Sequence, residues 1–239
     1  TVLSGDICLG DKVKILPQNK IAKVRGLQTH NSKVQSLSIG NRAAINLHFN
    51  DKLVLKRGNH LSNINFYSTY EQAIISINIL SKIEKGIINN ERLRIYLGTQ
   101  EVMARILFYH QRIIEPGKSA GAILKFERPI VCSIGDKFIV RKYSPLITIG
   151  GGEILDFNLY SKWNQNKEYI NKLYAKSGLS DRLVNIIEKQ KLKPFTFSSL
   201  STFLNMSNEK LINLVKSSNI IVLDNKWLVT ENQFNSIID

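Results

Sequence analysis

Thirteen of the 14 glycines lie at or before Gly152, and only Gly178 follows in the rest of the 239 residues. Glycine supplies the positive φ of tight turns and weakens a helix interior by about 1 kcal/mol relative to alanine. A chain that spends it so unevenly is expected to run first through strands joined by turns and then through helices. The densest run is Gly150-Gly151-Gly152, within the stretch GDKFIVRKYSPLITIGGGEILD from Gly135 to Asp156. Here Gly135-Asp136 is a turn signal, Phe138 to Arg141 alternate apolar and polar, and Ser144-Pro145 interrupts the run before Ile147 to Ile149 resume it. Three glycines in succession let the backbone bend, or pass close to another strand, before Ile154 and Leu155. The expected structure is the edge of a β-barrel closing on itself.

Residues 1–61 read as short strands broken by turn residues. Gly10-Asp11 precedes Lys12 to Leu16, and Pro17-Gln18-Asn19-Lys20 turns the chain into Ile21 to Gln28. Gly40 to Leu47 and Lys52 to Leu55 follow, with Arg57-Gly58-Asn59 as the next turn. Strands of this length suit a small closed barrel. Residues 62–158 form a second β unit, with strands at Ser76 to Leu80, Arg92 to Leu97, Val102 to Tyr109 and Ala120 to Phe126, a loop at Gly86 and a turn at Pro116-Gly117.

From Asp156 onward the apolar period changes from two to about 3.6. Tyr169, Ile170, Leu173 and Tyr174 share one helical face, and Leu183, Val184, Ile186 and Ile187 another, with Ser180 as the expected N-cap of the second helix. Thr196 or Ser198 can open a short helix carrying Leu200, Phe203 and Leu204. Ser207 then caps a helix with Leu211, Ile212, Leu214 and Val215 inside. Ile220 to Leu223, Asp224-Asn225 and Trp227 to Val229 make a tight hairpin. Three helices and a hairpin in this order are a winged helix over residues 159–239. The expected fold class is therefore mainly β plus α, two small β-barrels followed by a winged-helix domain.

The 33 Lys and Arg exceed the 19 Asp and Glu, a formal net charge of +14 at pH 7 and a pI near 9.8. By segment the balance is +7 for residues 1–61, +3 for 62–160 and +4 for 161–239. Such an excess attracts polyanions through counterion release. The alternative is a solvated, lysine-rich surface produced by biased coding composition. No apolar run approaches the roughly 18 residues of a spanning helix, and no amino-terminal segment has signal-peptide character. A cytoplasmic monomer without membrane contact is expected. Cys8 and Cys132 each sit in a strand-like run without CxxC or His-rich spacing, which predicts two reduced core thiols.

Several stretches resemble a known family. The order GD-F-IVR, S-P, T-I-GGG, I-L-D between Gly135 and Asp156, with L-G-T-Q-E-V-M-A-R-I from Leu97 and P-G at 116–117, resembles the third domain of the selenocysteine-specific elongation factors (SelB). L-S-G, G-D-K-V-K-I-L-P, K-V-R-G-L-Q-T-H-N, G-N-R-A-A-I-N-L and K-R-G-N-H-L are similar to the second domain of translational GTPases, the K-V-R-G version most of all to SelB. Where SelB commonly carries His before L-G-T, this chain has Tyr96. The resemblance implies two translation-factor barrels, 1–61 and 62–158, the first without its opening strand, and then the first of a run of winged-helix domains. It also implies selenocysteinyl-tRNA and the ribosome as partners, and an mRNA hairpin read by later winged-helix domains beyond these residues. GTP and Mg would belong to the full-length parent.

The chemistry expected of the chain itself is binding. A P-loop needs G-x-x-x-x-G-K-[ST] opening a helix. Gly117-Lys118-Ser119 imitates its end, but Arg112 stands at the first glycine position and a strand follows. No triad, carboxylate pair or metal cluster stands out among the four His and two Cys, so no catalytic residue, no metal site, no cofactor and no GTP hydrolysis are expected of this chain. The resemblance places Arg42, in G-N-R-A-A-I-N-L, where SelB has an arginine lining the selenocysteine pocket. A fixed guanidinium can tell an ionised selenol from the neutral hydroxyl of serine. The competing reading has Arg42 lying along a barrel strand or pairing with a carboxylate. Arg25, Lys56, Arg57, Arg105 and Arg141 are candidate phosphate contacts on tRNA, and His30 is expected to stabilise a turn. Lys210, Asn213 and Lys216 share the exposed side of the would-be recognition helix, which in a first winged helix is expected to be a spacer or docking surface. Two alternatives stay open: a fragment of another translational GTPase, and a stand-alone RNA- or DNA-binding adaptor.

Overall fold

The computed structural model describes residues 1–49, 54–64, 67–109, 111–190 and 193–238. They form two compact units that divide between Phe66 and Tyr67. The expected first boundary, 61/62, falls inside the last strand of the first unit.

In that unit β1 (Asp6–Cys8) pairs with β5 (Ser36–Ser38). β2 (Lys12–Leu16), β3 (Lys20–Thr29), β4 (Ser32–Val34) and β7 (His60–Asn63) follow the order β4-β3-β2-β7, and β6 (Ala44–His48) also pairs with β3. Alternation along β2 and β3 turns Val13, Ile15, Ala22, Val24 and Leu27 into a small core with Leu37. His30 and Asn31 join β3 to β4 with φ of 49° and 63°, the paired positive values of a type I′ hairpin turn. Cys8 corrects an expectation: in the three-residue strand β1 only Ile7 points inward, so Cys8 is exposed. Of the expected strand Lys52 to Leu55, positions 52 and 53 lie outside the described residues, and Val54 and Leu55 form no strand.

The second unit opens with β8 (Thr69–Ile79), β9 (Ile87–Ile88), β10 (Arg92–Leu97), β11 (Gln100–Leu107), β12 (Ile113–Ile114), β13 (Ser119–Val131), β14 (Lys137–Lys142) and β15 (Thr148–Asp156). Six of these close a barrel in the order β10-β11-β13-β8-β15-β14, while β9 and β12 pair apart from it. The glycine run lies inside β15, wedged between β8 and β14. A Cβ on Gly150 would stand 2.3 Å from the Asn78 carbonyl oxygen, one on Gly151 2.8 Å from that of Phe138, and one on Gly152 1.9 Å from that of Ser76. Glycine is required here for close approach, and the barrel closes because nothing protrudes. Cys132 is buried as expected, and burial together with nearby Asp136 pushes its thiol well up.

The helices continue from the barrel without a break in the core. They are α1 (Trp163–Tyr174), α2 (Leu179–Glu188), α3 (Phe197–Leu204), α4 (Asn208–Lys216) and α5 (Glu231–Ile238), with β16 (Phe195–Thr196), β17 (Ile220–Leu223) and β18 (Trp227–Thr230) in a sheet of order β16-β18-β17. α1 packs across β8 and β13, where Gly121 makes room for it: a Cβ there would stand 2.7 Å from Ile170 Cγ2. Gly178, not the expected Ser180, is the N-cap of α2, because the Arg182 N–H already donates to the Gly178 carbonyl at 3.2 Å. Thr196, the first of the two expected starts, caps α3 in a reciprocal box with Ser199. Ile212 is exposed although expected inside, because Leu211 and Val215, four residues apart, take the core positions of α4. Asp224 and Asn225 turn the wing with positive φ. α5, which follows the expected hairpin, is tied in by Gln233, which accepts from the Thr230 N–H and donates to the Ile187 carbonyl at 3.0 Å.

The last residue of β15 anchors this arrangement. Asp156 Oδ2 accepts from the Tyr169 hydroxyl at 2.7 Å and lies 3.5 Å from Lys189 Nζ, while Oδ1 accepts from the N–H groups of Phe157 and Asn158. Lys189 sits over the rings of Tyr160 and Tyr169 and donates to the Asn158 carbonyl. Burial pushes the Asp156 carboxyl up and the Lys189 ammonium down, each offset in part by the other. Around this pair, Arg182 bonds Glu153 at 2.7 Å, Asn205 donates to Ser133, and Phe157 stacks on Tyr70 at 3.6 Å and meets Phe203 edge-on.

Two outcomes follow from this packing. Gly152→Ala should destabilise the second unit by about 2 kcal/mol or more, since its methyl meets fixed backbone and cannot be accommodated by a rotamer change; a urea titration followed by circular dichroism measures it. For the ion pair, the raised carboxyl pKa means a stability contribution lost as pH rises through it. The depressed ammonium pKa means one lost as pH falls through it. Both therefore weaken the fold where both groups are charged. Lys189→Met alone should cost about 3–5 kcal/mol near neutral pH by stranding Asp156, whereas Asp156→Asn with Lys189→Met should recover most of that loss.

Candidate nucleic-acid interface

The sequence R-L-R-I-Y-L of β10 alternates strictly, so Leu93, Ile95 and Leu97 fill the barrel while Arg92, Arg94 and Tyr96 face out. Register then assembles the rest. Arg92 pairs across with Arg105 of β11, and Arg105 with Lys125 of β13. On the other side Arg94 pairs with Arg141 of β14. Cross-strand partners lie about 4.5–5.5 Å apart at Cβ, and like charges so placed each cost on the order of 0.2–1 kcal/mol. This cationic ladder is therefore not what stability alone would select.

Carboxylates and rings hold the ladder in place. Arg92 grips Glu127 with Nε at 2.6 Å and Nη2 at 2.7 Å, a bidentate pair that holds the Glu127 carboxyl below the usual carboxylate range. Arg94 Nη1 donates to Glu101, Arg128 to the Glu101 carbonyl, Arg105 to the Asn90 carbonyl at 3.0 Å and Arg141 to the Leu146 carbonyl at 3.0 Å. The Tyr143 ring lies 4.8 Å from the Arg92 guanidinium carbon and 5.9 Å from that of Arg94, and Arg141 lies 5.8 Å over Tyr96. Guanidinium groups interleaved with aromatic faces form a surface suited to phosphates and bases.

Of the residues singled out from sequence, Arg105 and Arg141 belong to this one face. Arg92, Arg94 and Tyr143 were not singled out, although the period-two alternation of R-L-R-I-Y marks the first two as outward. In the first unit, Arg25 is the bulged residue of β3, between the pairs Val24–Leu47 and Gly26–Asn46. Arg42 is exposed just before β6, beside the backbone bridge between Val2 and Asn41, and no carboxylate among the described residues pairs with it. Four residues of extended chain, roughly 13 Å, separate its register from that of Arg25. Lys56 and Arg57 are exposed in a turn closed by Asn59. Lys210, Asn213 and Lys216 are exposed along α4. Gly117-Lys118-Ser119 leads from a positive-φ turn into β13, a setting without the helix N-terminus of a phosphate loop. Among the described residues there is no His, Cys, Asp or Glu group able to hold a metal ion, and no helix is long and apolar enough to cross a membrane.

Residues 75–160 match the family model described as the beta-barrel domain of the selenocysteine-specific elongation factor. A selenocysteine-specific elongation factor of Desulfomicrobium baculatum is 31% identical over 156 residues, which are 65% of this chain and 25% of that protein. One from Escherichia coli is 22% identical over 171 residues, 71% of this chain and 26% of that protein. The chain thus spans about a quarter of the length of these relatives. Among solved structures, a bacterial selenocysteine-specific elongation factor superposes over 97% of this chain and 36% of its own, with a TM-score of 0.70 and 20% identity. The SelB structure from Methanococcus maripaludis covers 65% of this chain and 38% of its own, with a TM-score of 0.55 and 19% identity.

Glu127 occupies the guanidinium fork of Arg92, the edge that a phosphate on this face would need. Glu127→Gln should strengthen binding of an RNA duplex several-fold at low salt and lower the thermal midpoint only slightly, measured by fluorescence anisotropy and a melt.

Proposed function

We propose that this chain, which belongs to the selenocysteine-specific elongation factor family, supplies the barrels that hold selenocysteinyl-tRNA for GTP-dependent delivery to the ribosome at recoded UGA codons. The match of residues 75–160 to the family's barrel model carries this reading. In it Arg42 recognises the selenolate, an anion near neutral pH where serine is neutral, so that a charge-assisted contact discriminates the two. Arg25, Lys56 and Arg57 in the first unit, with Arg105 and Arg141 in the second, contact tRNA phosphates. The winged helix serves as a linker towards later domains that read an mRNA hairpin, with Lys210, Asn213 and Lys216 as its exposed polar side. The factor works as a monomer in the cytoplasm. In this reading GTP and Mg belong to the GTPase part of the full-length factor.

The test compares binding of selenocysteinyl-tRNA and seryl-tRNA, on one tRNA body, to the full-length factor with GTP. A preference for the selenocysteinyl form, reduced about 10- to 100-fold by Arg42→Ala, is expected. Equal binding of the two forms by the unsubstituted protein would remove the selenolate role of Arg42 and favour a general tRNA-binding factor or an RNA-binding adaptor.

A further inference from the structure

We infer that Arg182, Lys189 and Asn205 form a three-point mount that fixes the orientation of the helices beyond Gly178 against the barrel, so that the winged helix is a rigid bracket. Arg182 and the C-cap Lys189 lie seven residues apart on α2, about 10 Å along one helix face. Their partners Glu153 and Asp156 lie three residues apart on β15, about 10 Å of strand. The two spacings match, and α2 is tied to β15 at both points. Arg182 Nη1 donates to Glu153 Oε1 at 2.7 Å, and Lys189 Nζ stands 3.5 Å from Asp156 Oδ2. Asn205, the left-handed C-cap of α3, donates at 3.0 Å to the Ser133 hydroxyl in the connection between β13 and β14. Two attachments on one helix leave a rotation about their common line. The third, from a different helix to a different loop, removes it.

The connecting chain does not impose this orientation. Gly178, the one glycine after the barrel, has φ of −113°, which any residue adopts, and a Cβ on it would meet nothing closer than Ser180 Oγ at 3.5 Å. Neither conformation nor space requires glycine there, and it leaves the connection between α1 and α2 free to pivot. Apolar contact, here Phe203 edge-on to Phe157, attracts without prescribing an angle, whereas hydrogen bonds weaken steeply when misaligned. The charged side chains of the mount are buried, with 7% of Arg182, 8% of Lys189 and 1% of Asp156 exposed. Ion pairs so deep add little to stability over apolar packing of similar volume. Their use is to set direction, and Glu153 is itself braced through its other oxygen by Lys137. The inference rests on the linker reading only for what a constant bearing serves, the placing of later domains relative to the arginine face.

The decisive measurement is residual dipolar coupling of the backbone N–H groups of residues 1–239 in a weakly aligning medium. Couplings from the barrel, 69–156, and from the helices, 179–238, should fit one alignment tensor. Glu153→Gln, Asp156→Asn, Arg182→Met and Lys189→Met together remove both ion pairs at nearly constant volume. The thermal midpoint should then fall by no more than about 5 °C, while the two sets of couplings lose their common tensor. Arg182→Met with Glu153→Gln frees only one end of α2 and should tilt the helical tensor while the barrel's stays put. This milder pair decides the matter if the fourfold variant does not fold. Separate tensors in the parent would overturn the mount, as would a common tensor of unchanged orientation in the fourfold variant, or in the milder one where only that folds. A milder variant that unfolds would assign the contacts to stability and also overturn it. No RNA or nucleotide enters the measurement, so its failure leaves the selenocysteine test untouched, and failure of that test leaves the mount standing.

Discussion

The close approach of β15 to β8 on one side and β14 on the other is the constraint from which the second unit follows. Gly150 to Gly152 admit carbonyl oxygens where side chains would stand, and that contact lets six strands return on themselves. Closure brings β14 beside β10, and the pairing of those two strands sets Arg141 against Arg94. The same strand ends at Asp156, where the helices are fastened. One nine-residue segment thus governs barrel shape, cationic face and the seat of the winged helix.

That seat is built from costly groups. A carboxylate and an ammonium buried together gain little over apolar packing, because desolvation consumes most of their attraction. What the pair offers is direction: Asp156 accepts from Tyr169 of α1 and faces Lys189 at the end of α2, so both helices are oriented by one side chain. The Tyr70–Phe157 stack, Phe203, and the Arg182–Glu153 and Asn205–Ser133 contacts add further points of attachment. The winged helix is consequently continuous with the barrel core, and α4 is held in a defined place relative to the arginine ladder.

The ladder shows the opposite balance, with like charges side by side on a partly exposed face and local stability given up. Glu101 and Glu127 neutralise part of it, yet Arg105 faces Arg92 and Lys125, and Arg94 faces Arg141. Clustered like charges maintained by aromatic flanks and carboxylate braces suit a surface whose charge is completed by a polyanion. In the first unit the basic residues singled out from sequence are instead distributed over a bulge, a turn and the approach to β6.

Much of this was legible in the chain alone. Period-two alternation placed Arg92 to Leu97 on a strand with the observed bounds, Thr196 and Ser207 marked helix starts, and Asp224-Asn225 marked the wing turn, because backbone propensity and capping are local properties. The triple glycine announced a close approach. Local rules failed where neighbours decide: Ser180 yielded the cap to Gly178, Ile212 lost the core to Leu211 and Val215, and Cys8 lay exposed because its strand offers only one inward position. Strand register is a property of the closed barrel, so the meetings of Arg94 with Arg141 and of Asp156 with Lys189, partners far apart along the chain, could be decided only by the tertiary structure. The sequence by itself determined which faces are apolar, where turns fall and that the surface is basic; the tertiary structure decided which charges become neighbours, because only barrel closure and helix docking bring distant residues within reach of one another.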